Sequence, residues 1–141
     1  MKNIIATLCV MFLGIQLVTF TKHTINGFIV NYEDKQNMLQ IIDCIDQYQN
    51  KTGIDVNKVA IYNDKAPLYT YKGIETIKDM NLKAFSSDWA LVALMKYYSN
   101  RDFELIDKDE QIELEFKEKN WDYFSKEQVI IKDNVVHICN Y

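Results

Sequence analysis

Residues 4–20 decide the architecture of this chain, and they read I-I-A-T-L-C-V-M-F-L-G-I-Q-L-V-T-F. None of these seventeen residues is charged, and the clearly polar members are Thr7, Gln16 and Thr19. A transmembrane helix needs about 20 apolar residues, within a range of about 17–25. Seventeen lies at the short end, but Thr21 and the stem of Lys22 extend the segment because lysine places its ammonium at the membrane interface. The pattern therefore predicts a membrane-spanning helix.

Three other interpretations of this segment stay open. A cleaved secretory signal fits Lys2 and the apolar run, but no small-x-small cleavage site follows at residues 18–22. Lipoprotein anchoring at Cys9 would need a small residue directly before the cysteine, where a leucine stands. A buried helix of a soluble protein would have to run this far without a charge. We predict an uncleaved single-pass anchor within residues 1–25 and a small domain over residues 26–141.

The charge of the remaining chain bears on its partners. The whole chain has a formal charge of -4, and without Lys2 and Lys22 it has 14 basic and 20 acidic residues, or -6. Nucleic-acid phosphates and anionic lipid heads repel such a domain, which argues against nucleic-acid binding. The basic residues at the two ends of the apolar segment nearly balance, so the positive-inside rule gives little direction. The acidic domain favours a place outside the cytoplasm, at the cell membrane.

Periodicity predicts an alternation of helices and strands after the anchor. Asn26 and Gly27 form a plausible break, although the helix can also run on into the aqueous phase. Apolar residues at three- and four-residue steps predict a helix over residues 31–52 that stops at Gly53. We then expect a strand over residues 56–62, a short extended piece over residues 68–71 and a helical turn over residues 74–80.

The second half of the chain continues this alternation. Ser87 and Asp88 form a helix start, since serine caps backbone N–H groups and aspartate suits the positive end of the helix dipole. This helix is expected to run to Asn100 and, being apolar on most sides, to be well buried. A strand over residues 103–106, a charged helix over residues 107–119 and a hairpin of strands 128–131 and 135–139 follow. The charged helix is expected to turn Ile112, Leu114 and Phe116 toward the core.

The predicted fold class is α/β, with α+β as an alternative. It consists of an N-terminal transmembrane helix and a small layered domain that ends in a β-hairpin.

No complete catalytic or metal site is recognisable in the sequence. His137 alternates with its apolar neighbours along the last strand, which predicts a structural or solvent-facing side chain. With Cys139 on the same strand face, it makes only two of the three or four ligands that zinc needs. Cys44 and Cys139 either pair as a disulfide or, as we favour, remain two small buried side chains. The sequence has no P-loop, dinucleotide glycine signature or nucleophile elbow. We predict no catalytic residue, metal or cofactor.

Aromatic residues make up 13% of the chain and include nine Tyr. Aromatic rings with polar tips bind sugars, whereas the simpler interpretation is that they fill the core of a small domain. We assign weak ligand-binding roles to Tyr69, Tyr71, Asp88, Trp89 and Trp121. A further hypothesis is a secreted enzyme with a site around Asp88, Trp89 and His137.

Four stretches together resemble a known family: Y-T-Y-K-G-I at residues 69–74, A-F-S-S-D-W at 84–89, N-W-D-Y-F at 120–124 and V-H-I-C-N-Y at 136–141. They look like the extracytoplasmic C-terminal tail of multi-pass bacterial glucosyltransferases that modify surface polysaccharides. The resemblance implies transfer of glucose from a polyprenyl-phosphate donor. The family's acidic catalytic residues belong to earlier membrane loops, and none carries over to this chain.

The leading hypothesis is therefore a non-catalytic extracytoplasmic domain on a membrane anchor, part of or derived from such a glucosyltransferase. Its expected partners are the lipid bilayer and, by the resemblance, upstream membrane helices. The alternative hypothesis is a stand-alone membrane-anchored module that binds a glycan or a peptide.

Overall fold

The computed structural model describes residues 2–63, 70–74, 81–119, 121 and 123–140. The elements in these ranges are helices α1 (Lys2–Thr52), α2 (Asp88–Ser99) and α3 (Glu110–Lys117), and strands β1 (Lys58–Asn63), β2 (Glu104–Leu105), β3 (Val129–Lys132) and β4 (Val135–Asn140). Single 3₁₀ turns cover Ala84–Ser86 and Lys126–Gln128. The predicted α/β class is confirmed, because a long apolar helix precedes a small domain with a mixed sheet and a C-terminal hairpin.

One continuous helix, α1, joins the apolar segment to the domain. It passes through Asn26 and Gly27 without a break, so the uninterrupted helix is the alternative that is observed. Glycine inside a helix costs about 1 kcal/mol relative to alanine. Gly27 allows a close approach, since a Cβ at this position would lie 3.3 Å from Oδ1 of Asn81. As predicted, the helix ends before Gly53, whose φ of 73° strains any residue with a Cβ.

The two halves of α1 have different surroundings. The first is exposed, and it is long and apolar enough to cross a membrane. In the second half Met38, Ile41 and Ile45 are fully buried in the domain core. The same helix is therefore the candidate anchor and a wall of the domain.

The sheet has the strand order β2-β1-β4-β3. Strand β1 runs parallel to β2 and to β4, while β3 and β4 form the antiparallel hairpin. Asp133 in the hairpin turn has a φ of 54°, a backbone conformation that aspartate adopts more readily than most residues. The first strand begins later than the expected residues 56–62, although Val56 is buried just before it.

Alternating side chains of β1 and β4 divide the interior into two cores. On one face, side chains of both strands pack with α1 and α2: Val59, Ile61, Val136 and Ile138. On the other face, Ala60, Tyr62 and Cys139 pack with Ile112 and Phe116 of α3. The sheet is thus the middle of three layers.

The expectation that α2 is buried on most sides was wrong. Leu91 and Met95, one turn apart, are fully buried, but Trp89 is 75% exposed and Tyr97 is 78% exposed. The helix lies on the outside of the sheet, so only one of its faces meets the core. Its aromatic residues on the outer face are left in solvent.

The charged helix α3 is shorter than expected, and its first turn is capped by Asp109. The Asp109 carboxylate accepts hydrogen bonds from the backbone N–H groups of Gln111 and Ile112 at 2.9 and 3.2 Å. Leu114 was wrongly expected in the core, because it is 62% exposed. A helix places residues four apart on one face, so Ile112 and Phe116 share the buried side and Leu114 does not.

The expected extended piece over residues 68–71 and helical turn over residues 74–80 lie mostly outside the described residues. Ser87 occupies the N-cap position of α2, as predicted, but its side chain makes no capping hydrogen bond.

Candidate functional site

The three parallel strands end at one edge of the sheet, after Asn63, Leu105 and Asn140. The chain reaches α2 on one face after β1 and α3 on the opposite face after β2. In α/β sheets, a crevice opens where neighbouring strands send their connections to opposite faces, and ligands bind outside the carboxyl ends of the strands there. The boundary between β1 and β2 is such a point.

A crevice lies at this boundary, with a volume of about 460 Å³. This volume is within the range of about 300–1,000 Å³ that is typical of small-molecule sites. Its lining combines apolar strand residues with charged residues from the start of α2 and the loop after β2: Ile61, Asp88, Leu105, Ile106, Asp107 and Lys108. The crevice therefore offers both an apolar wall and hydrogen-bonding groups.

A chain of hydrogen bonds fixes one wall of the crevice. The Asn140 side-chain amide donates to Oδ1 of Asn63 at 3.0 Å, and the Asn63 amide donates to Oδ1 of Asp88. The Asn140 amide also donates to the carbonyl of Phe85, in the turn before α2. These contacts connect β4, β1 and the first residue of α2, so the position of the Asp88 carboxylate is set by the strand ends.

The residues with predicted ligand-binding roles occupy different places. Asp88 lines the crevice, and its neighbour Trp89 presents its ring to solvent. Trp121 is half-buried against α3, where its Nε1–H donates to the carbonyl of Phe116 at 3.0 Å. Tyr69 lies outside the described residues. Tyr71 belongs to a separate polar cluster, so the described contacts join neither Tyr71 nor Trp121 to Asp88.

Tyr71 is held against α1 by a buried carboxylate. Its hydroxyl donates to Oδ1 of Asp34 at 2.6 Å and accepts from the side-chain amide of Asn37 at 3.0 Å. Asp34 also accepts from the backbone N–H of Ala84 at 2.7 Å. Burial raises the pKa of Asp34 and that of Tyr71, and it lowers the pKa of the neighbouring Lys83. This cluster attaches the residues before α2 to α1, and we interpret it as structural.

His137 is buried on the face of the sheet that α3 covers. As predicted, it points away from Val136 and Ile138, and its Nδ1 lies 2.8 Å from the hydroxyl of Tyr62. Burial lowers its pKa, which favours the neutral imidazole. Because α2 packs on the opposite face, the structure separates His137 from Asp88 and does not assemble the hypothetical site around Asp88, Trp89 and His137.

Of the two cysteines that were expected to be buried thiols, only Cys139 is fully buried. Cys44 is a half-buried thiol, Cys139 is a fully buried thiol, and neither forms a disulfide. The described residues also contain no group of three or more side chains able to hold a metal ion.

The sequence did not mark four polar residues at the edge of the sheet where the parallel strands end: Asn63, Asn140, Asp107 and Lys108. Each follows or ends an apolar run, which is the signal that could have marked it. Their proximity depends on which strands are parallel neighbours, and one sequence does not reveal that order.

Comparison of the chain with protein-family models, curated proteins and solved structures found no match. The resemblance to glucosyltransferase tails therefore stays a prediction.

Proposed function

We propose that this chain is a single-pass membrane protein whose non-catalytic domain lies outside the cytoplasm, against the cell membrane. The observation that carries this proposal is the continuity of α1, which contains the exposed apolar segment and also Met38, Ile41 and Ile45 of the domain core. A domain built on its own anchor cannot swing away on a flexible linker. Its ligand or partner is accordingly expected at the membrane surface.

If α1 spans the bilayer as proposed, helix geometry sets the height of the domain above it. Phe20 ends the apolar segment, and Asn26 is the first residue of α1 that is buried by the domain. Six residues of helix span about 9 Å at a rise of 1.5 Å per residue. The lower edge of the domain would then lie at the level of the lipid headgroups.

We further propose that the chain is part of, or derived from, a glucosyltransferase that uses polyprenyl-phosphate glucose. Its support is the set of four similar stretches, two of which meet at the crevice wall through the hydrogen bond from Asn140 to the Phe85 carbonyl. Under this proposal the catalytic groups belong to other membrane segments, and this domain binds or positions what they act on.

Protease protection tests the proposed sidedness. The full chain, tagged at its C-terminus and expressed in a bacterial host, is exposed to protease in intact spheroplasts and in lysed ones. We expect the tag to be removed in intact spheroplasts while a cytoplasmic control protein survives. A tag that is lost only after lysis would place the domain inside and would contradict the proposal.

A second candidate function is the binding of a hydroxyl-rich ligand such as a glycan in the crevice. The favouring observation is that carboxylates of Asp88 and Asp107 line the crevice beside apolar residues. Trp89 follows Asp88 in the chain, and its ring is exposed. Carboxylates accept hydrogen bonds from sugar hydroxyls, and an exposed indole offers a flat apolar face.

Titration of a panel of oligosaccharides onto the full chain in lipid nanodiscs tests this candidate. Asp88→Ala and Trp89→Ala should each weaken binding, whereas Leu114→Ala, at an exposed position on α3, should not. Equal binding by all three variants would exclude the crevice as the glycan site.

A further inference from the structure

The face of the membrane segment that lies beneath the domain can be identified from helix geometry. Eighteen residues make about five full turns of an α-helix, so residues eighteen apart lie on one line along it. The domain buries four side chains of α1 that are relevant here: Val30, Asp34, Asn37 and Ile41. The residues eighteen positions before them are, in the same order, Phe12, Gln16, Thr19 and His23. We call these four residues the domain-side face of the membrane segment.

Gln16 is the residue on this face that is most costly to leave in hydrocarbon. The hydroxyl of Thr19 is already satisfied, since it donates to the backbone carbonyl of Ile15 at 2.9 Å. The Gln16 side chain is exposed, and it makes no hydrogen bond within the described part of the chain. Polar side chains inside a bilayer usually face other helices and hydrogen-bond across the interface. The amide of Gln16 therefore indicates a hydrogen-bonding partner on a neighbouring helix.

The position of the domain restricts what this neighbour can be. In a symmetric parallel dimer the same face of both copies would meet. Because the domain covers that face from Asn26 onward, two domains would compete for the same space between the helices. A helix that ends at the membrane surface meets no such obstacle, since about 9 Å of helix separates Phe20 from Asn26.

We propose that the domain-side face binds a transmembrane helix of another membrane protein. This partner helix presents a hydrogen-bonding side chain opposite Gln16 and ends beneath the domain. The proposal rests on the membrane anchoring proposed above, and it adds the face, the contact residue and the geometry of the partner.

Site-specific photo-crosslinking in native membranes tests the proposal. The photoreactive p-benzoylphenylalanine replaces Phe12 on the domain-side face or, as a matched control, Val10 on the outer face. Val10 lies eighteen residues before Phe28, which is exposed. We expect an adduct with a different membrane protein from position 12 and none from position 10.

Changes at Gln16 separate a specific contact from random capture. Gln16→Leu should lower the adduct yield from position 12 by about three- to tenfold, the loss expected for one interhelical hydrogen bond. Gln16→Asn keeps the amide and should restore part of the yield. The captured protein, identified by mass spectrometry, must have a transmembrane helix with a hydrogen-bonding side chain at the matching depth.

Several results would overturn the proposal. These are an adduct of the size of two copies of this chain, equal adduct yields from positions 10 and 12, no adduct from position 12, or a yield that Gln16→Leu leaves unchanged. Alkaline extraction of the same membranes distinguishes the two proposals. A chain that stays in the membrane without a face-selective adduct refutes the partner helix alone, whereas an extracted chain refutes the anchoring as well.

Discussion

The hydroxyl of Tyr62 and Nδ1 of His137 lie 2.8 Å apart in the interior, on neighbouring strands. The Tyr62 oxygen also accepts a hydrogen bond from the backbone N–H of Asp109 at 2.9 Å. The phenol is therefore assigned as the donor to Nδ1, and the imidazole as neutral with its proton on Nε2. This contact links β1 and β4 to the start of α3.

The first prediction is that stability falls when the pH drops below the ordinary pKa of histidine. Burial lowers the pKa of His137 from 6.5 in the folded state, with Lys132 adding to the shift and Asp109 opposing it. Between the lowered pKa and 6.5 the unfolded chain binds more protons, so the free energy of unfolding rises with pH in this window and levels off above it. One proton limits the slope to about 1.4 kcal/mol per pH unit.

Guanidinium unfolding of the full chain in detergent, followed by tryptophan fluorescence, measures this dependence between pH 5 and pH 8. His137→Gln keeps an acceptor for Tyr62 but does not titrate, so the variant should lose the His137 part of the slope. The raised pKa of Asp34 acts in the opposite direction at lower pH and is common to both proteins. An identical pH profile for the variant would show that His137 does not cause the dependence.

The second prediction compares two apolar residues of α3. Phe116 is fully buried against Tyr62, whereas Leu114 is mostly exposed. Phe116→Ala should lower the free energy of unfolding by about 3–5 kcal/mol, and Leu114→Ala by no more than about 0.5 kcal/mol. Denaturant unfolding of both variants gives these values. Similar losses for the two would mean that α3 is turned differently on the sheet.

The third prediction concerns the attachment of the chain before α2 to α1. Asp34→Ala removes the acceptor for the Tyr71 hydroxyl and for the Ala84 backbone N–H. Leaving buried donors unpaired should cost about 1–3 kcal/mol. Amide hydrogen exchange should also become faster at Ala84. The control Lys35→Ala, at an exposed position beside Asp34, should change neither quantity; equal effects of the two would refute the role of Asp34.

The fourth prediction uses two glycines of α1. A side chain at Gly27 meets Oδ1 of Asn81, while a Cβ at Gly14 has nothing within 4 Å. Gly27→Leu should destabilise the domain through overpacking, which costs about 1–3 kcal/mol and is offset in part by about 1 kcal/mol of regained helix propensity. Gly14→Leu, outside the domain, should leave the stability of the domain unchanged. Both are measured by denaturant unfolding of the domain. A harmless Gly27→Leu would show that Asn81 does not pack closely on α1.

The sequence predicted most elements of this fold, because their periodicity is strong. The helix end at Gly53, the hairpin turn at Asp133 and the orientation of His137 all follow from local rules about glycine, turns and strand alternation. The prediction for Leu114 was wrong, because apolar character alone does not indicate burial. Position on the helix face, and not residue type, decides that case.

The candidate site was harder to predict, because it depends on long-range order. Asp88 was found from its place at a helix start, but Asn63 and Asn140 are 77 residues apart in the chain and meet through the pairing of β1 with β4. Tyr71, for which a ligand-binding role was predicted, donates a hydrogen bond from its hydroxyl to Asp34, a carboxylate 37 residues away. Neither contact can be recognised from a local pattern in the amino-acid sequence.

Alkaline carbonate extraction of membranes from cells that produce the full chain tests the anchoring most directly. The intact chain, with residues 4–20 still attached as judged by its mass, should stay in the membrane pellet. Replacing both Leu13 and Leu17 with lysine should release it. Recovery of the intact wild-type chain in the soluble fraction would contradict the membrane-anchored arrangement.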